Sequence, residues 1–164
     1  MSKFIPLTQG MTAAVDDIDA DLMRFKWHTK FNDRQYYASR DEFRISKGKI
    51  IKIRMHQIIL QRMIGRLLKP HEYVDHINGD GLDNRRENLR LATKSQNAMN
   101  ARKRSDNSSG YKGVTYHKQK NRWTAEIRVN KERIYLGCFT TPEDAYSAYC
   151  EAAKKHFGEF ARLD

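Results

Sequence analysis

The stretch from Val74 to Asn97 constrains the fold more than any other part of the chain. Val74-Asp75-His76-Ile77-Asn78-Gly79 reads as a strand entering a turn, and a polar loop leads to a second short strand, Asn88-Leu89-Arg90-Leu91-Ala92-Thr93. Thr93 or Ser95 can cap a following helix that carries Asn97 and Asn100. The order is therefore strand, loop, strand, helix. A hairpin followed by a helix brings Asp75 near Asn97, two hard oxygen donors of the kind that suit Mg²⁺. His76, adjacent to Asp75 on a strand, points to the other face and is free for a separate task.

Around this stretch the chain divides into an α+β series of small units. Residues 1–54 form a β-rich region. Phe4-Ile5-Pro6-Leu7 and Met11 to Val15 flank a Gln9-Gly10 turn, and Asp16, Asp17 and Asp19 open a short helix before Leu22, Phe25 and Trp27. Tyr36-Tyr37-Ala38 and Lys49 to Ile53 read as strands around Ser46-Lys47-Gly48. Residues 55–104 begin with a helix whose buried face is marked by Met55, Ile59 and Met63, with Ile58 beside them. Residues 105–110 are a polar linker. In residues 111–164, strands at Gly113 to Tyr116, Trp123 to Val129 and Ile134 to Phe139 precede a helix capped by Thr141, with Pro142 at its first position. A stripe of Ala145, Ala148, Tyr149, Ala152 and Ala153 lets that helix approach the sheet closely, and Gly158 ends it.

Charge says what such units meet. The 164 residues carry 31 Lys+Arg against 20 Asp+Glu, a formal net charge of +11, which favours an anionic partner, nucleic acid before an acidic membrane surface. Between Arg85 and Arg104 lie Arg85, Arg86, Arg90, Lys94, Arg102, Lys103 and Arg104, opposed only by Glu87. More than half of the excess charge thus falls beside Asp75 and His76. No run of about 18 apolar residues encodes a membrane span. Met1-Ser2-Lys3-Phe4-Ile5-Pro6 is no secretory signal, and the two cysteines fit a reducing cytoplasm. His56, His71 and His76 lack the cysteines and the spacing of a structural zinc site, so none is expected. The loop should rely on packing, with Tyr73, Leu82, Leu89 and Leu91 as its small core.

Val74 to Gly79, then Leu82-Asp83-Asn84-Arg85-Arg86-Glu87-Asn88-Leu89-Arg90 and Ser95-Gln96-Asn97, resembles the HNH endonuclease motif in the variant of phage-type homing endonucleases, where asparagine replaces the last histidine. The resemblance implies a ββα-metal finger (His-Me finger) using Mg²⁺ or Mn²⁺. His76 matches the general base and Asn88 the asparagine that braces the hairpin and orients the histidine. Asp75 and Asn97 match the metal ligands. Asn84 is assigned to loop structure. The reaction implied is hydrolysis of a phosphodiester bond, with neutral His76 taking the proton of the attacking water.

Gly110-Tyr111-Lys112-Gly113-Val114, Trp123 to Arg128, Leu136-Gly137-Cys138-Phe139 and Glu143 to Tyr149 are similar to the plant APETALA2/ethylene-response-factor DNA-binding domain. In that family a three-stranded antiparallel sheet with one packed helix enters the major groove. The matching positions are Lys112, Arg122, Glu126, Arg128, Arg133 and Tyr135. Thr115 and His117 stand where the plant pattern carries arginines, so the plant target sequence does not transfer. Trp123 and Tyr149 are assigned to the core.

Together the resemblances imply a Mg²⁺-dependent homing-type endonuclease from a phage or other mobile element. It would act on double-stranded DNA in the host cytoplasm, without a membrane or a small-molecule cofactor, as a monomer or weak dimer. A DNA-binding regulator with an inactive finger is the other reading of the same residues. Residues 1–54 either extend the DNA surface or brace the finger.

Overall fold

The computed structural model describes residues 1–32, 35–44, 48–103 and 106–163, with the side chain of Arg44 apart. Part of the expected Ser46-Lys47 turn, Ser105 of the linker and Arg104 of the basic cluster fall outside those residues. The chain is a mixture of helices and small antiparallel sheets in two compact units, 1–94 and 95–164.

In the first unit, β1 (Ser2–Pro6) and β2 (Thr12–Asp16) form the expected hairpin. Gln9 and Gly10 make its turn with φ of 63° and 70°. A 3-10 helix over Asp17–Arg24 follows, and the Trp27 indole donates to the Leu22 carbonyl at 2.8 Å. β3 (His28–Asn32), β4 (Gln35–Arg44) and β5 (Lys49–Arg54) make an antiparallel sheet centred on β4. The first of these strands was not anticipated, because His28-Thr29-Lys30-Phe31-Asn32 has no clear alternation of burial. α1 (Met55–Ile64) stops at Gly65, whose φ of 68° suits a glycine after a helix. β6 (Tyr73–His76) and β7 (Leu89–Ala92) form the second hairpin.

One core joins these pieces. Ile5, Val15, Leu22, Trp27 and Ala38 pack with Met55, Ile59 and Leu89. Each large apolar side chain fully buried there stabilises the unit by about 1.5–3 kcal/mol. Residues 1–54 therefore share one core with α1 and the β6–β7 hairpin. The buried stripe of α1 is Met55, His56, Ile59 and Leu60, whereas Met63 is exposed. The expected loop core is also revised: Leu89 is buried, but Tyr73 and Leu91 are exposed. Polar contacts hold that loop instead.

In the second unit α2 (Lys94–Met99) ends at Met99, which packs against a cluster of Ile127, Tyr149, Ala153 and Phe157. β8 (Val114–His117), β9 (Arg122–Val129) and β10 (Glu132–Phe139) form a meander in the order β10-β9-β8. Asn130 and Lys131 turn the chain with φ of 51° and 73°. α3 (Pro142–Phe157) buries Ala145, Tyr149, Ala153 and Phe157. Its Thr141 hydroxyl accepts from the Asp144 amide at 3.1 Å. Tyr149 is core, as expected, and Trp123 is half-buried against the Val114–Ala125–Ala145 cluster. Gly113 allows the sheet to close over Tyr149, because a Cβ there would lie 2.2 Å from the ring.

Candidate active site

β6 delivers Asp75 and His76 at its end, and both are buried, at 2% and 5% relative exposure. Hairpin register sets Asp75 opposite Arg90 and His76 opposite Leu89. The Arg90 guanidinium donates through Nε to Asp75 Oδ2 at 2.8 Å. Just past His76 the chain turns sharply, with the Gly79 amide on the His76 carbonyl at 2.8 Å and the Ile77 amide on the Asn88 carbonyl at 2.9 Å.

A hydrogen-bonded loop then runs back toward His76. Asn88 spans it: its Oδ1 accepts from the Asn78 amide at 2.9 Å and its Nδ2 donates to the Asp83 carbonyl at 2.7 Å. Asn78 Nδ2 donates to Asp83 Oδ2, and Asp83 receives Nε and Nη2 of Arg85 at 2.8 and 2.7 Å. Arg85 holds the Asp83 carboxyl below the usual carboxylate range. β2 clips the same loop from outside, with the Ala14 amide on the Leu82 carbonyl at 2.9 Å and the Asn84 amide on the Ala14 carbonyl at 2.8 Å.

This clip fixes Asn84, which is wholly buried. Its Oδ1 faces His76 Nε2 at 3.4 Å, and its Nδ2 donates to the Leu82 carbonyl at 3.1 Å. Burial lowers the His76 pKa from its ordinary value, against smaller opposing contributions from Asn84 and from Asp75, Asp80 and Asp83. His76 is consequently a free base at neutral pH. Asn84 thus touches the histidine as well as shaping the loop, and Tyr37 and His56 lie against the same ring. Sequence spacing gave no sign of Tyr37. His56 could have been found, since it stands four residues before Leu60 on the buried side of α1.

The expected anion-binding arginines of the loop are occupied. Arg85 is on Asp83; Arg86 pairs through Nε with Asp19 Oδ2 at 2.7 Å, its amide donating to Asp16 Oδ2 at 2.7 Å; Arg90 is on Asp75. Asp19 is wholly buried and also receives Arg62 at 2.9 Å. Charge counted between Arg85 and Arg104 overstates the exposed positive field here, because the neutralising acids lie outside that window: Asp83 and Asp75 in the same hairpin region, and Asp16 and Asp19 nearly 70 residues away. Lys94 and Arg102 are exposed, and Lys103 donates to the Gly110 carbonyl at 2.7 Å. Asn97 is exposed on α2, in the second unit.

On the outer face of the C-terminal sheet stand Arg122, Glu126 and Arg128 of β9 and Arg133 and Tyr135 of β10, all exposed. Register places Arg128 beside Arg133 and Glu126 beside Tyr135. Lys112 differs from these, since its Nζ donates to the Met99 and Ala101 carbonyls at 3.0 and 2.7 Å.

Comparison with known proteins finds two family models along the chain. Residues 54–99 match the family model described as HNH endonuclease, and residues 109–159 match that of the AP2 domain. An uncharacterized HNH endonuclease of Acanthamoeba polyphaga mimivirus is 33% identical over 110 residues, 67% of this chain and 56% of that protein. Protein 3.8 of Escherichia phage T7 is 36% identical over 91 residues, 56% of this chain and 74% of that protein. An ethylene-responsive transcription factor of Arabidopsis thaliana is 45% identical over 56 residues, covering 33% of this chain and 30% of the factor. No solved structure matches. The match thus spans little more than half of the mimivirus protein but about three quarters of the phage protein, and the chain contains an HNH endonuclease domain followed by an AP2 domain.

Proposed function

We propose that the protein is a Mg²⁺-dependent, site-specific DNA endonuclease of homing type, in which the HNH domain hydrolyses a phosphodiester bond and the AP2 sheet reads the site. The observation that carries this reading is the buried His76, its pKa lowered by burial, beside Asp75 on a braced hairpin within the HNH match. A general base must be unprotonated at working pH, and burial gives His76 that state. His76 takes the proton from the attacking water. Asn84 and Asn88 hold the loop beside it, and Asn88 acts as a positioning residue. β6 to α2 would then work as a ββα-metal finger.

The donors that the motif resemblance assigns to a hard divalent ion are the Asp75 carboxylate, buried and hydrogen-bonded to Arg90, and the Asn97 amide oxygen on exposed α2. Bound there, Mg²⁺ or Mn²⁺ would stabilise negative charge on the phosphoryl oxygen and the leaving 3′ oxygen. Arg122, Arg128, Arg133 and Tyr135 present a β surface of the kind that enters a major groove, with Lys94, Arg102 and Lys103 available to phosphates. Lys112 serves by holding the 99–101 backbone.

The test is cleavage of supercoiled plasmids carrying fragments of the source genome. Wild-type protein nicks with Mg²⁺ and not with EDTA, and His76→Ala removes cleavage while DNA binding remains. Cleavage that survives His76→Ala overturns the assignment. Wild-type binding without cleavage would make the protein a DNA-binding regulator.

A further inference from the structure

Two rings close on the His76 imidazole from outside its own hairpin. His56, the second residue of α1, meets it edge-on, with ring centroids 5.1 Å apart and an interplanar angle of 85°. Tyr37 of β4 lies 5.9 Å from His76 at 54°, and 5.4 Å from His56 at 74°. The three rings therefore form a closed triangle. Tyr37 is backed in turn by Gly81, where a Cβ would come within 2.7 Å of its ring and 2.5 Å of the Tyr36 carbonyl.

His56 is an odd choice for a mere filler. It is 5% exposed and its Nδ1 has no hydrogen-bond partner among the described residues. Leaving a buried polar atom unpaired costs about 1–3 kcal/mol, which a leucine of similar size would avoid. Leucine lacks one thing that His56 supplies: a flat edge to set against another ring. Burial pushes the His56 pKa well below its ordinary value, so the ring stays uncharged beside His76.

We propose, building on the nuclease reading of His76, that His56 is a positioning residue that acts with Tyr37 to fix the plane of the His76 imidazole toward the attacking water. The catalytic strand alone does not set that plane, because the ring of a histidine at a strand end is free to turn about its broad second torsion. Displacing a reacting group by about 1 Å can lower a rate about a hundredfold. The region ahead of the finger thereby takes part in catalysis through packing.

Two substitutions in the full chain separate shape from bulk. His56→Leu keeps the volume and removes the planar ring, and His56→Phe keeps a planar ring. The measurements are the single-turnover nicking rate at saturating protein with Mg²⁺, and DNA affinity in EDTA. His56→Leu should slow nicking about tenfold to a hundredfold with affinity unchanged, and His56→Phe should restore the rate to within about threefold of wild type. His56→Leu cleaving as fast as wild type, or His56→Phe as slow as His56→Leu, overturns the proposal while leaving the nuclease reading intact. A wild-type protein that does not cleave overturns both. Should circular dichroism show either variant unfolded, Tyr37→Phe and Tyr37→Leu make the same comparison from β4 and decide it.

Discussion

Arg90 donates to Asp75 across the β6–β7 hairpin at 2.8 Å, so the carboxylate proposed for the metal is already aimed by a guanidinium that is itself only 13% exposed. Groups that hydrogen-bond a ligating carboxylate tune its site, and their removal typically lowers metal affinity or activity about 10–100-fold. Arg90→Met should therefore raise the Mn²⁺ concentration needed for half-maximal nicking by about that factor, with DNA binding in EDTA retained. An unchanged metal requirement would show that Arg90 does not orient Asp75 for the ion.

Asp19 ties three separate segments together. Wholly buried, it receives Arg62 from α1 and Arg86 from the loop between β6 and β7. Removing one partner of a buried pair costs about 3–5 kcal/mol, but both arginines are about one-third exposed and water screens them. Asp19→Ala should accordingly destabilise the first unit by about 2 kcal/mol, read from urea denaturation of the full chain, and should slow nicking by loosening the loop.

Acid should weaken the first unit before most carboxylates titrate. His56 and His76 both have folded pKa values below the ordinary histidine value, so the unfolded chain binds their protons first. Stability is complete above the ordinary histidine value of about 6.5 and declines as pH falls toward the folded values, with a limiting slope of about 1.4 kcal/mol per pH unit for each proton taken up on unfolding. His56→Phe should remove one proton from that dependence, measurable as a shallower slope of melting free energy between about pH 6.5 and 5.

Gly81→Ala should impair the site from behind. Its new methyl would meet the Tyr36 carbonyl and the Tyr37 ring, and the resulting shift costs about 1–3 kcal/mol. Because Tyr37 rests on His76, the nicking rate should fall more than DNA affinity does.

Binding should divide by domain. Arg122→Ala removes an exposed charge from the outer face of β9. If it contacts a phosphate, the salt dependence of binding should become shallower by about one unit of slope. Arg86→Ala should leave that slope unchanged, since its guanidinium is on Asp19. A fall in slope for Arg86→Ala would mean that DNA draws it away from that carboxylate.

The C-terminal sheet was legible in the sequence almost strand by strand, because β9 alternates cleanly and Thr141, Pro142 and Gly158 mark the ends of α3. The β6–β7 hairpin was legible for the same reason of local pattern. What surrounds it was not. The clip of Ala14 on Leu82 and Asn84, and the pairing of Asp19 with Arg86, join residues nearly 70 apart, and no periodicity reports such contacts. His56 was passed over because the Met55–Ile59–Met63 spacing pointed to a neighbouring face of α1, and tertiary packing turned Met63 outward instead.

The Ala14 clip bears on how such a protein could be cut and recombined. A gene segment limited to residues 54–99 would encode the matched motif while losing the strand edge that holds Asn84 in place. Its loop would have to find order without the template that fixes it here. The smallest segment that keeps this loop templated is therefore the whole unit from Met1 to Lys94, longer by its N-terminal hairpin and sheet than the matched motif.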